Sequence, residues 1–159
     1  MSNAEHVLMS HLDAAWLPEG GRADVVLARQ HAPAPSPTCL VRLLATCSRK
    51  VLVVPRADGR GLDIPTLRVG HAVVEECLRT LQLGALGSVH PTTLLGYVRN
   101  IVKEAPVDYP WPSPDAYFSV WHSELPETHG VEGVWLDAAD AEPELGNRHW
   151  WPLVAHVPL

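Results

Sequence analysis

The stretch GHAVVEECLRTLQLG, residues 70–84, sets two adjacent carboxylates, Glu75 and Glu76, ahead of a guanidinium, Arg79. Carboxylate oxygens are what a hard divalent cation such as magnesium takes as ligands, in near-octahedral array. A guanidinium instead grips a phosphate directly, through paired N–H donors. A third use is also open, because a glutamate four residues before an arginine makes a favourable surface ion pair of about 0.3–0.5 kcal/mol. Val74, Cys77, Leu78 and Leu81 recur at helical spacing. On spacing alone, the stretch is an amphipathic helix lying on a sheet, with its charges on the remaining surface.

Elsewhere the chemistry is sparser. His122 and Glu124 alternate along one strand face, a weak spacing for a metal, and His129, His149 and His156 are scattered without a zinc-hydrolase pattern. No glycine-flanked serine elbow occurs. The DGRG segment, residues 58–61, does not open a helix, so it is a turn rather than a phosphate-cradling loop. Tyr109, Trp111, Tyr117, Phe118 and Trp121 cluster in a proline-stiffened stretch, as rings for a stacked base, a dimer interface or the core.

The elements that must position these groups follow from periodicity. Val7, Leu8, His11, Leu12, Ala15 and Trp16 share a helical face, which predicts a helix over 4–17, stopped by PEGG. ADVVLARQ is short and β-prone, and HAPAPSPT is a proline-rich loop. Residues 39–46 and 50–57 read as two strands joined at hairpin length. After the short extended LDIP come the helix and a break at GALGS. Two further strands follow, TTLLGYVRNIV with Gly96 as a bulge position and AYFSVWHSEL. VEGVWLD adds a last strand, and NRHWWPLVAHV reads as a closing helix that Pro152 joins near its first turn. The adjacent Trp150 and Trp151 cannot both face one core, so one is expected to cover the sheet and the other to meet a loop or a partner.

With 159 residues, 47% of them apolar, the chain supports one domain with its own core. Its formal charge of −6 and scattered basic residues argue against nucleic acid as a partner. No run reaches a membrane-spanning length. Cys39, Cys47 and Cys77 lack ligand spacing and read as small buried hydrophobes in a reducing, cytoplasmic setting.

The order of these elements resembles the Nudix hydrolases. A hydrophobic strand ending in PR leads through ADGRGLDIP into the helix, and the chain closes on EGVWLDAADAEPELGNRHWWPL. The resemblance runs from about Cys39 onward and implies an α/β/α sandwich around a mixed β-sheet. Residues 31–159 would form the Nudix-like domain, and residues 1–30 a helix and lead-in within it. It also implies a magnesium or manganese cofactor and a nucleoside-diphosphate-type ligand.

The family's signature box departs here. With Glu75 on the glutamate of its Arg-Glu pair, Val74 replaces the arginine, Leu78 and Arg79 replace the Glu-Glu pair, Thr80 matches a common threonine, and Thr66 and Leu67 replace paired glycines. Sliding Glu75 and Glu76 onto the Glu-Glu pair turns the apolar face wrongly, so the first register is preferred. In it Glu75 is the catalytic and metal candidate, with Glu76 as a second ligand. Adjacent helical residues point about 100° apart, so the two share one ion poorly. Arg79 repels a cation by about 4 kcal/mol per unit charge at 4 Å and an effective dielectric near 20.

Arg56 matches a family position that faces substrate. Arg79, Arg99, Tyr117 and Trp121 complete the expected ligand cleft. Two functions stay open: a Nudix-type pyrophosphohydrolase that recruits Asp63 or Glu124 as replacement ligands, and a catalytically inactive module that binds a nucleotide-like molecule or a protein through the same cleft. The aromatic surface suggests a homodimer.

Overall fold

The computed structural model describes residues 5–128 and 133–157. The described residues form nine strands: β1 (His6–Leu12), β2 (Arg22–Leu27), β3 (Thr38–Cys47), β4 (Lys50–Pro55), β5 (Leu62–Asp63), β6 (Thr66–Arg68), β7 (Thr93–Ile101), β8 (Asp115–Glu124) and β9 (Val134–Asp137). They carry helices α1 (Val74–Leu86) and α2 (Ala138–Leu145) and a closing 3₁₀ turn, Trp151–His156. Sheet order is β1-β2-β7-β8-β3-β4-β5, with β6 paired to β3 and β9 to β4. The β3–β8 pair is parallel and the other pairs are antiparallel, so the sheet is mixed.

Strand β3 is buried on both faces, which explains its near-continuous apolar sequence. Val41 packs with Cys77 and Leu78 of α1, and Leu43 and Ala45 pack with Ala85 and Leu86 further along that helix. Leu44 faces the other layer, a core shared with Trp150, Leu153 and the α2 residues Ala141 and Leu145. Fully burying a leucine or valine side chain contributes about 1.5–3 kcal/mol, so the two layers hold the sheet from both sides. The expected sandwich of helices around a mixed sheet is what forms.

The helix α1 follows its pattern, with Cys77 and Leu78 buried and Val74 and Leu81 packed beside them. It runs past Gly84, which the sequence placed in a break, and stops at Gly87. There φ is 76° and the backbone N–H donates to Leu83 O at 3.0 Å. A left-handed glycine after the last turn is a common helix terminator. The bulge expected in β7 is present, since its register with β8 slips between Leu94 and Gly96.

Three expectations fail. Residues 6–12 are a strand, not part of a helix. β1 hydrogen-bonds to the edge of β2, Ser10 Oγ donates to Asp24 Oδ1 at 2.7 Å, and Arg99 Nη1 reaches both Glu5 oxygens at 2.7 Å. These long-range bonds outweigh a helical apolar period that tolerates either structure. Second, the closing segment is a 3₁₀ turn, with Pro152 in its first positions. Third, α2 is a helix between the last strand and the closing segment that the sequence reading did not foresee, and it tolerates Pro143 within two turns. The leading residues of VEGVWLD, 131 and 132, lie outside the described residues, as does His129.

Of the tryptophan pair, Trp150 is 1% exposed in the core, while Trp151 packs partly against it. Leu153 in this segment presses on Gly96, where a Cβ would run into Val26 O and stand 2.6 Å from Leu153 Cδ2. Gly96→Ala is therefore expected to lose about 1–3 kcal/mol of stability, read as a lower urea midpoint with unchanged m-value.

Asp24, 2% exposed, ties β1, β2 and β7 together. Burial alone would raise its pKa, but hydrogen bonds from Arg99 and Ser10 and the charges of Arg22 and Arg99 hold it below the ordinary aspartate value. A depressed carboxylate contributes stability above its unfolded pKa, near 3.9, that is lost as pH falls through the folded value. Acid unfolding monitored by circular dichroism should therefore show a loss of stability below about pH 4 that Asp24→Asn removes, the variant being weaker at neutral pH.

Candidate functional site

The α1 pocket is built from the helix outward. With Cys77 and Leu78 turned to the sheet, Glu75, Glu76 and Arg79 are left exposed, and the two acids sit in the helix's first turn, where its dipole favours negative charge. Together with Gln82, Trp121 and the loop from Val89 to Thr92 they line a cavity of about 560 Å³. The wall is fixed by hydrogen bonds. Gln82 Nε2 donates to His90 O at 2.8 Å, and Ser123 Oγ donates to Pro91 O at 2.9 Å. Trp121 Nε1 donates to Ser119 Oγ at 2.9 Å, and that hydroxyl donates to Leu40 O at 3.2 Å. The indole is held at the junction of β8 and α1.

Arg79 makes no ion pair or hydrogen bond among the described residues, so the Glu75–Arg79 pair that the spacing allows is not formed. Nor do three His, Cys, Asp or Glu side chains converge as a metal site among the described residues. The two α1 carboxylates are adjacent and divergent, which is a poor match to magnesium's demand for near-ideal octahedral oxygen coordination. The described residues do not fit a magnesium cage, and no reaction step is derived through one.

The replacement ligands suggested by the sequence lie elsewhere. Asp63 Oδ1 accepts the Ile64 N–H at 2.8 Å, and Oδ2 is 3.8 Å from Arg56 Nη1. Glu124 is exposed at the end of β8. His122 bonds Thr46 Oγ1 at 2.7 Å, and burial lowers its pKa against the raising influence of Glu124.

The structure thus brings Glu75, Glu76, Arg79 and Trp121 together and separates the other candidates. Arg99 is bound on both sides by Glu5 and Asp24, and Tyr117 stacks edge-on against Tyr97 with centroids 5.4 Å apart. Arg99 belongs to the polar clasp of β1, β2 and β7, and Tyr117 meets that clasp from β8 through the Tyr97 ring. Arg56 is gripped by Asp58, with Nη2 at 2.6 Å, and lines a different cleft that also holds Asp63 and Arg42. Arg42, Gln82 and His90 were not foreseen. For Arg42 a signal existed, since a charged residue interrupts the apolar run CLVRLLAT at an inward position between Leu40 and Leu44.

Similarity to solved structures decides the fold. The chain matches the Bacillus subtilis pyrophosphohydrolase BsRppH with a TM-score of 0.55 at 14% identity, over 82% of this chain and 78% of that one. This is a Nudix fold. The Nudix domain of Shewanella oneidensis NrtR, solved in complex with ADP ribose, matches with a TM-score of 0.53 at 12% identity, over 79% and 91%. The MutT protein of Bacillus halodurans gives 0.51 at 15% identity, over 74% and 82%. No family model matches the sequence, and no curated protein matches it at a significant level. At these identities the fold is shared while side-chain chemistry is free to differ.

Electrostatics within this Nudix fold give one further expectation. Desolvation first, then the charges of Arg42, His11, Arg148 and Arg56, lower the His149 pKa to about 4, and its ring stacks on Trp16 at 3.7 Å. A depressed histidine costs nothing above its unfolded pKa of about 6.5 and destabilises progressively as pH falls toward the folded value. Nuclear magnetic resonance titration should find the His149 imidazole neutral at pH 6, while an unfolded control protonates.

Proposed function

We propose that this chain is a Nudix-fold ligand-binding module that takes a nucleoside-diphosphate-type molecule in the α1 pocket without a divalent metal. The observation that carries this reading is Arg79, an arginine without an ionic partner among the described residues, on the wall of a cavity beside a fixed indole. A guanidinium supplies bidentate donors to a phosphate, and an indole face or edge supplies apolar contact to a base. The solved NrtR domain with ADP ribose supports the ligand class. Hydrolysis is the second reading, favoured by Glu75 and Glu76 lining the same cavity.

A homodimer belongs to this proposal, supported by exposed Val7, Met9 and Leu12 on β1. So does a cytoplasmic setting, supported by three buried free cysteines, with the Cys39 and Cys77 thiols raised by desolvation. Among the described residues no helix is long and apolar enough to cross a membrane.

Thermal unfolding with ADP ribose in the presence of a chelator tests the central reading. A ligand at a hundred times its dissociation constant adds about 2.7 kcal/mol, so the midpoint should rise without metal. Arg79→Ala should weaken binding about tenfold or more, the cost of one charged hydrogen-bonding partner, while Glu75→Gln binds as well as the parent. Magnesium-dependent release of phosphate or nucleoside monophosphate that Glu75→Gln abolishes would establish the hydrolase instead.

A further inference from the structure

A hollow of about 640 Å³, larger than the α1 pocket, opens at the corner where β2 leaves the sheet. Loop 28–32, the start of β7, the end of β8 and the closing turn form its walls. The backbone fixes this corner. The Ala28 N–H donates to Leu95 O at 2.9 Å, the Ala32 N–H donates to Arg29 O at 3.0 Å, and Thr93 stands opposite His122 in the β7–β8 register. Between those two bonds the chain turns through His31 in left-handed backbone, φ 61°. A non-glycine residue holds that conformation only where its surroundings require it.

The lining has a distinct sign. The chain carries a formal charge of −6, yet among the described residues neither Asp nor Glu lines this hollow. Arg29 is the one permanent charge on its wall, so it sets the sign whatever else it also touches. Thr92 and Trp121 are shared with the α1 pocket, where Glu75 and Glu76 outnumber Arg79. Two neighbouring cavities of opposite sign therefore meet at one wall. Aliphatic surface comes from Leu27, Leu94, Leu95 and Val157. His122 contributes a neutral ring, because burial lowers its pKa against the raising influence of Glu124. With the Thr46 hydroxyl donating to Nε2 at 2.7 Å, the ring proton sits on Nδ1, which has no hydrogen-bond partner among the described residues.

We propose that this corner is a binding site for a small organic carboxylate with an apolar body, separate from the α1 pocket. Arg29, the Thr93 hydroxyl and His122 receive the carboxylate, and the aliphatic side chains receive the body. An apolar hollow with a few convergent polar groups is the usual form of a small-molecule site. One guanidinium matches one carboxylate. A phosphomonoester carries about −1.5 to −2 charge at neutral pH, and the neutral imidazole of His122 supplies no second cation for it.

Calorimetric titration of the full chain with 2-naphthoate, in chelator and at fixed ionic strength, tests this. 2-Naphthamide serves as the neutral isostere and 2-naphthyl phosphate as the more highly charged one. Saturable binding of the carboxylate is expected, at least tenfold tighter than either control. Arg29→Gln should abolish the preference for carboxylate over amide while leaving amide binding unchanged. Thr93→Glu, at an exposed position, should abolish carboxylate binding by adding the acid that the hollow lacks. Thr93→Gln, of the same size without the charge, should bind within a few-fold of the parent and guards against a purely steric loss. Arg79→Ala should change nothing. No saturable binding, equal affinity for the amide, tighter binding of the phosphate, a carboxylate preference that survives Arg29→Gln, or equal losses in the two Thr93 variants would each overturn the proposal. None of these results depends on whether ADP ribose binds at α1.

Discussion

The burial of β3 on both faces is the constraint from which the rest of this molecule follows. A strand in the middle of a sheet must send successive side chains to opposite layers. Here Val41, Leu43 and Ala45 receive α1, and Leu40, Arg42 and Leu44 enter the layer closed by Trp150 and Leu153. Because α1 is seated by its apolar stripe on those odd-numbered residues, Glu75, Glu76 and Arg79 have no choice but to stand outward beside Trp121. Because β3 pairs in parallel with β8, Trp121 falls opposite Leu43 and cannot drift from the helix. One alternation therefore fixes both chemical surfaces, one on each side.

Electrostatics then decide what those surfaces can hold. The α1 pocket carries two neighbouring acids and a guanidinium unpaired among the described residues, a mixture that neither builds a six-oxygen cage nor leaves the cavity simply anionic. Positive charge on the second face is concentrated by fold geometry, since Arg42 comes from β3, Arg56 follows β4 and Arg148 follows α2. These three arginines are far apart in sequence, and their charges add to the desolvation that chiefly depresses His149.

Legibility in the sequence followed the range of the interactions. The β3–β4 hairpin, α1, β7 with its bulge and β8 rest on local periodicity and turn residues, and they could be read directly. Residues 6–12 could not, because their strand state depends on β2 and on Arg99 and Asp24 much further along the chain. Nor could α2, whose Pro143 and acidic residues conceal Ala141 and Leu145, the two side chains it buries. At the site, the α1 group was visible because it lies within one helix. The grouping of Arg56 and Arg99 with it was not testable from spacing, and the structure assigns them to separate environments. Arg42 could have been flagged from its inward parity alone, but its company could not.

Arg148 has a mechanical meaning beyond its charge. By donating to the carbonyls of Leu62 and Arg60 it fastens the turn after α2 to the short strand that bears Asp63. The C-terminal layer and the floor of the cleft are thus tied together by one side chain. Sequence drift in that layer, in residues that never touch a ligand, will reshape the cleft by tilting Asp63, giving descendants of this chain a route to altered selectivity that leaves every lining residue in place.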